Sequence, residues 1–434
     1  MRCRRFFRFF VLPFLFLFLS NLWAEPPVVR IDDLIEMALK HSPDLNVSRA
    51  EYEALSQRIR QAKAGYLPRA DLSAGGGTEG MELAGRDASG HTLTGRLSAS
   101  QLLYDFGRTR GDIEASAYDA NASYASLRQR IGNKIFEVKK AYYNLLKSRM
   151  LIKVEEENVR LNEKQLYRAK RYFEAGIRTK IDVSDAKVNL ISAKLALQNA
   201  RYEFQRARIR LASTVGVEPY GGRYRLDTPE LNVSTLGERL PEVEQPFEWL
   251  ETYAYAHRPI LHAAKERIES AKARVRASEG EYYPRFFLSG DYTRNETADA
   301  LETSIPSQQW SAMLRMEWNL FEGFRTQART EEYRARTLQA SASYADTKIR
   351  IRREVADSQE LLLKIRDGVL LSRSLVEAAK EKFYQAQKRY ESGLADFIEL
   401  QQARQGFIEA ASGLVTAYYD FYVALALRDR AIGR

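Results

Sequence analysis

The chain has 434 residues, 67 of them Lys or Arg and 57 Asp or Glu, for a formal net charge of +10. Charges of both signs are interspersed and no basic stripe is interleaved with aromatics, which reads as solvated helix faces and not as a nucleic-acid surface. The single cysteine, Cys3, excludes a disulfide framework, a thiolate metal centre and a cysteine nucleophile.

Residues 1–24 have the form of a secretory signal peptide. Arg2, Arg4, Arg5 and Arg8 precede an apolar stretch from Phe9 to Leu19, and Ser20-Asn21-Leu22-Trp23-Ala24 offers cleavage after Ala24. The stretch is short for a membrane helix and Pro13 interrupts it. Cleavage removes Cys3 and four arginines, which lowers the charge to +6 (63 basic, 57 acidic) and excludes a lipid-modified cysteine. No later apolar run approaches the ~20 residues of a membrane helix. An exported chain of this kind is periplasmic, secreted or an outer-membrane β-barrel.

Next comes a helix from Pro43 to Ala64, with Ser42 as cap and Pro43 in the first turn. Strands are expected at about 67–77 and 92–103, where Leu93, Gly95, Leu97 and Ala99 alternate with Thr94, Arg96, Ser98 and Ser100. The polar, glycine-rich stretch from Gly75 to His91 reads as the loop between them. A long helix follows over about 111–173, carrying a seven-residue column of Ile131, Val138, Leu145, Ile152, Val159, Leu166 and Phe173. At 1.5 Å per residue it would be about 95 Å long. A turn at 174–178 is built on Gly176, and a helix from about Arg178 to Thr214 completes the unit, its length and that of the first helix together nearly matching the long one.

The whole unit then recurs. Phe173-Glu174-Ala175-Gly176 is answered by Tyr390-Glu391-Ser392-Gly393, and Leu67-Pro68-Arg69 by Tyr283-Pro284-Arg285. A period this long means two copies of one large unit: 25–214 and 247–434, joined by a linker at 215–246. The second copy has strands at about 284–294 and 310–321, with a polar loop from Asn295 to Gln309. Its long helix covers about 326–390 and its turn 391–395. The buried column there is Val355, Leu362, Val369, Val376, Phe383 and Tyr390, beside a partly small one of Ser358, Ile365, Ser372, Ala379 and Ala386. The strands read as about ten residues each, apolar outward and polar inward, the pattern of a membrane barrel. Four strands cannot close a barrel, so the chain must oligomerise. The rival reading is a periplasmic coiled-coil adaptor or scaffold without a barrel. His41 and His257 hold equivalent repeat positions near helix starts and read as structural. No catalytic residue, cofactor or metal site is expected.

The ordered, doubled set of Tyr172-Phe173-Glu174-Ala175-Gly176 through Asp182-Val183-Ser184-Asp185-Ala186, Arg389-Tyr390-Glu391-Ser392-Gly393 through Glu399-Leu400, and Leu103-Tyr104-Asp105-Phe106-Gly107-Arg108-Thr109 resembles the TolC family of outer membrane efflux proteins. The resemblance covers about 31–430. It implies an α+β membrane protein: a homotrimer whose twelve strands form one barrel in the outer membrane of a Gram-negative bacterium, with an α-helical tunnel crossing the periplasm. It implies a periplasmic adaptor and an inner membrane transporter as partners, outer membrane lipid around the barrel, and export by a tripartite efflux pump or type I secretion system. It also implies a gate at the helix tips. Asp182 and Glu399 take the acidic position six past each turn glycine, Asp185 a second acidic position, and Asp396 adds an acid nearby. Arg178 and Tyr390 form the tip latch, around the turns at Gly176 and Gly393. This chain departs from the family pattern at Ala395 and Gln402, where the second copy would carry its arginine and second acid, and at Phe173, which lacks the hydroxyl of Tyr390.

Overall fold

Two copies of one element series account for the described residues, which in this computed structural model are 28–83, 86–217, 225–226, 232–298 and 308–434. The signal segment expected over 1–24 lies outside them. In chain order the elements are β1 (Val28–Val29), α1 (Ile31–His41), α2 (Pro43–Lys63), β2 (Arg69–Leu83), β3 (Arg86–Tyr104), α3 (Arg108–Glu174), α4 (Lys180–Val215), β4 (Arg225–Leu226), α5 (Phe247–His257), α6 (Pro259–Glu279), β5 (Arg285–Ala298), β6 (Gln308–Glu317), α7 (Arg325–Glu391) and α8 (Phe397–Ile432). The helices α3 and α7 are each 67 residues and unbroken, and α4 and α8 are each 36. Both pairs are displaced by 217 positions, Arg108 to Arg325 and Lys180 to Phe397, while α1/α5 and α2/α6 are displaced by 216.

The helices α1 and α5 were not anticipated. Each is 11 residues, too short for periodicity to declare it, and each ends against a residue that precedes proline. Ser42 and Arg258 take extended conformations there, as the following proline ring requires. Ser42 makes no side-chain capping bond, which corrects the reading of it as a cap; it is simply buried. One further correction concerns α8. By length and composition it is apolar enough to cross a membrane, which the search for apolar runs missed. Its apolar side chains Leu414, Val415 and Phe421 are core residues, fully buried within the protein.

The chain packs as two units. The first comprises residues up to His41, Glu137–Leu240 and Gly368–Asp420; the second comprises Ser42–Phe136, Pro241–Asp367 and Phe421–Arg434. In the first, the short strands β1 and β4 pair in parallel, and the C-cap of α4 closes on α1. Gly216 has φ +84, and a Cβ there would lie 3.2 Å from the His41 carbonyl oxygen. Gly433 repeats this in the second unit, with φ +84 and the His257 carbonyl oxygen at 3.0 Å. Only glycine takes this backbone freely. Gly216→Ala is therefore expected to cost about 1–2 kcal/mol from the left-handed backbone alone, read as a lower midpoint in thermal unfolding followed by circular dichroism; an unchanged midpoint contradicts the tight cap.

The second-copy column is core: Val355, Leu362 and Val369 are fully buried, and Val376 and Tyr390 nearly so. In the first copy Val138 and Leu145 are buried, but the column leaves the core further on and Phe173 is exposed.

The second unit also holds a four-stranded antiparallel sheet in the order β2-β3-β5-β6. Its register sorts the side chains. Leu72, Leu97, Tyr292 and Trp310 pair across the four strands on one face, and Asp71, Ser98, Asp291 and Ser311 pair on the other. The whole apolar row is solvent-exposed in the single chain. The strands are longer than the expected ten residues: β2 has 15, β3 19 and β5 14. Of the residues read as the loop from Gly75 to His91, those at 75–83 and 86–91 are ladder residues, with Gly75 opposite Thr94 and Gly77 opposite Thr92, and 84–85 lie outside the described residues. Glycine and polar residues hid the strand because a ladder needs only backbone, and β-branched Thr92 and Thr94 supply the propensity from across. Asn295 to Ala298 likewise belong to β5, and Gln308 and Gln309 to β6.

Candidate functional site at the helix turns

In the first unit, α3 passes into α4 and α7 into α8 through two turns of one design. Ile177 N–H donates to the Tyr172 carbonyl at 2.9 Å and Gly176 N–H to Phe173 at 3.0 Å; Leu394 N–H donates to Arg389 at 2.8 Å and Gly393 N–H to Tyr390 at 3.2 Å. This is the paired closure of a helix end on a left-handed glycine, with φ +71 at Gly176 and +76 at Gly393.

The acids beside the turns are held differently. Asp182 Oδ2 accepts from the Thr179 backbone N–H at 3.0 Å and from its hydroxyl at 3.1 Å, closing a capping box on α4. Asp396 Oδ1 accepts from the Glu399 backbone N–H at 2.7 Å and so caps α8. Glu399 itself takes an ion pair from Arg389, Nη1 to Oε1 at 2.8 Å. Asp185 is exposed, one turn further along α4.

Tyr390 is the centre of the packing. It is 1% exposed and sits among Ala169, Ala186, Ala386, Phe397 and Leu400. Arg178, from the other turn, lies with its guanidinium carbon 5.0 Å from the Tyr390 ring centroid, and its Nη2 donates to the Ala395 carbonyl at 3.3 Å. Thus Arg178 and Tyr390, read from sequence as a latch, are in contact. The guanidinium ties the α3–α4 turn to the α7–α8 turn by a cation–π contact and one hydrogen bond. Burial pushes the Tyr390 phenol above its ordinary pKa, and Arg178 pulls the opposite way. The Tyr390 hydroxyl and the Gln165 amide nitrogen are both buried with no hydrogen bond of good geometry.

The pairing of Arg389 with Glu399, ten positions on and across the turn, is not legible in the sequence, since helix spacing rules reach only three or four residues. The histidines make local bonds: His41 Nδ1 to the Met37 carbonyl at 3.0 Å, His257 Nδ1 to Tyr253 at 2.8 Å and His262 Nε2 to Ala256 at 3.0 Å.

Paired unbroken 67-residue helices, turned at their ends, and a four-stranded sheet with one apolar and one polar face make up the fold. The chain belongs to the outer membrane efflux protein family, whose profile matches residues 34–217 and 252–434. It is 26% identical to CyaE of Bordetella pertussis over 416 residues, 94% of this chain and 85% of that one. It is 21% identical to the outer membrane protein TolC of Vibrio cholerae over 429 residues, 95% and 92% of the two chains. The solved structure of CusC aligns with a TM-score of 0.81 at 19% identity over 95% of each chain. The Campylobacter jejuni CmeC outer membrane channel aligns at 0.80 and 17% identity, over 93% of this chain and 85% of that one. The protein is thus an outer membrane efflux channel extending into the periplasm, of a transport and not an enzyme family. The family match, together with the sheet, sets aside the alternative of a barrel-less adaptor.

Proposed function

We propose that three copies of this chain close a twelve-stranded barrel in the outer membrane and continue it as a helical tunnel. The tunnel would serve as the exit duct of a tripartite efflux pump or type I secretion system, docked through a periplasmic adaptor to an inner membrane transporter. The observation that carries this reading is the sheet: four strands with both edges, β2 and β6, unpaired among the described residues, and one face apolar. Open edges are not tolerated in lipid, and four strands are half of the smallest barrel that packs. The apolar parity on and beside β6 runs from Trp310 to Trp318. Eight steps of extended chain make ~26 Å, or ~20 Å once tilted, near the ~25 Å aromatic-bounded belt of outer membrane barrels. Lipid would meet Leu72, Leu97, Tyr292 and Trp310, while Asp71, Ser98, Asp291 and Ser311 would face water in the lumen.

In this reading the turns at Gly176 and Gly393 form the periplasmic gate. Asp182, Asp185, Asp396 and Glu399 line it, and Arg178 on Tyr390 latches it. A cation–π contact of this kind contributes about 1–2 kcal/mol when partly desolvated. Arg178→Ala is therefore expected to raise the open probability of single channels in planar bilayers about tenfold, since 1.4 kcal/mol is one decade, and Tyr390→Ala should do the same. Wild-type conductance from both variants would remove the latch.

A further inference from the structure

We infer that Arg389 sets the ionic selectivity of the tip by neutralising Glu399, so that the acid at this gate position exerts little field on a passing solute until Arg389 is removed. The inference rests on the tip being the gate. It begins from the difference between the two turns. Glu399 has a fixed counter-cation at 2.8 Å. Asp182, its equivalent, is held by Thr179 alone, and the position 217 before Arg389 is Tyr172.

The Arg389 guanidinium is held at two points. Nη1 meets Glu399, and Nη2 lies 3.5 Å from the Leu394 carbonyl of the turn. Arg389 stands in the last turn of α7 and Glu399 in the first turn of α8. Each charge therefore meets the helix end that favours it. Both side chains are solvent-accessible, 56% and 38%, so the pair contributes little to stability. Its effect on a passing ion is separate from its stability. A bare carboxylate attracts cations over a Debye length of about 8 Å at physiological salt. A carboxylate joined to a guanidinium presents a dipole, whose field falls faster with distance and attracts neither sign at that range. The second turn holds further charge: Glu391 pairs with Arg168 at 2.7 Å, Lys388 lies over the Tyr384 ring, and Asp396 caps α8 while keeping its charge. The departure at Gln402 removes the acid that Arg389 would leave unmatched. By cancelling Glu399, Arg389 weakens the cation preference that the remaining acids Asp182, Asp185 and Asp396 impose on the passage.

The test is the reversal potential of the full-length channel in a KCl gradient across a planar bilayer. Arg389→Gln should raise the cation-to-anion permeability ratio about threefold, as expected for one exposed, screened charge added per chain. Arg389→Lys should retain the wild-type ratio, Glu399→Gln, which unmasks the guanidinium, should lower it by a comparable factor, and the double variant R389Q/E399Q should return it to near wild type. A ratio unchanged in R389Q, or a double variant whose ratio stays at the R389Q value, overturns the inference. A separate arm tests the gate reading. Cys3 is the only cysteine, so Asp396→Cys in a Cys3→Ser background takes a bulky charged thiol reagent at one place. If labelling leaves conductance unchanged, the tip is not on the conducting path and the gate reading fails. If labelling blocks while R389Q is silent, the gate stands and only the role of Arg389 falls.

Discussion

Gly111→Leu is expected to abolish assembly, and even Gly111→Ala to destabilise the protein by about 1–3 kcal/mol, the usual cost of overpacking a filled interior. Alanine normally gains about 1 kcal/mol over glycine inside a helix. Here the sign reverses. A Cβ on Gly111 would lie 2.8 Å from both the Cβ and the backbone nitrogen of Ala277 and 2.9 Å from the Ala273 carbonyl oxygen. Two of those three atoms are backbone of α6 and cannot swing aside. Ala273 is fully buried and Ala277 nearly so, so the two helices cross almost backbone to backbone. The crossing also supports the sheet. The helix α3 follows β3 and α6 precedes β5, and β3 and β5 are paired strands. Gly280 repeats the close approach at the junction, 3.0 Å from Arg108 N for an added Cβ. The measurement is the temperature at which the oligomer dissociates on a semi-native gel. A Gly111→Ala protein that dissociates at a higher temperature than wild type would show that the helices do not meet so closely.

Arg258→Ala should cost about 3 kcal/mol, at the low end of the range for breaking a buried ion pair because Glu354 is only partly buried. Arg258 is 5% exposed and works at the end of α8. Its Nη1 donates to the carbonyls of Ala431 at 2.9 Å and Arg430 at 3.2 Å, and its Nη2 to Glu354 at 2.8 Å. Those carbonyls are among the last of α8; Arg430 also accepts from the Gly433 N–H at 3.2 Å, whereas Ala431 lies past the last helical donor that could reach it. Truncation leaves the Ala431 carbonyl and a carboxylate unmet at once. Arg258→Lys restores a charge but not the fork, and should recover about half of the loss. Chemical denaturation followed by circular dichroism reads the difference. An alanine variant within about 0.5 kcal/mol of wild type, the scatter of ordinary surface substitutions, would show that α8 ends without this clamp.

Much of this was legible in the sequence where the signal was long. Val355, Leu362 and Val369 recur every seven residues over an uninterrupted helix, and all are core. The family resemblance rested on the doubled turns, and the profile match spans both copies. What escaped was short or non-local. The helices α1 and α5 have 11 residues each and no long periodicity. Glycines 75 to 77 looked like a loop, because side-chain propensity says little where the partner strand supplies the pairing. The pairing of Arg389 with Glu399 required knowing how the chain re-enters α8 after Gly393. The clamp of Arg258 required knowing that the two ends of the second copy meet.

The displacement of 217 residues between α3 and α7 has an evolutionary consequence. In a ring of identical half-length chains, any substitution would appear at every tip at once. In the proposed trimer, with both copies fused in one chain, a substitution appears at every second tip. The turns are therefore free to specialise, and they have: Arg178 corresponds to Ala395, Tyr172 to Arg389 and Phe173 to Tyr390 across the repeat. One turn supplies the cation that holds the other's tyrosine, and the other supplies its own counter-charge. A ring with full sixfold identity would have to seal and select with the same residues.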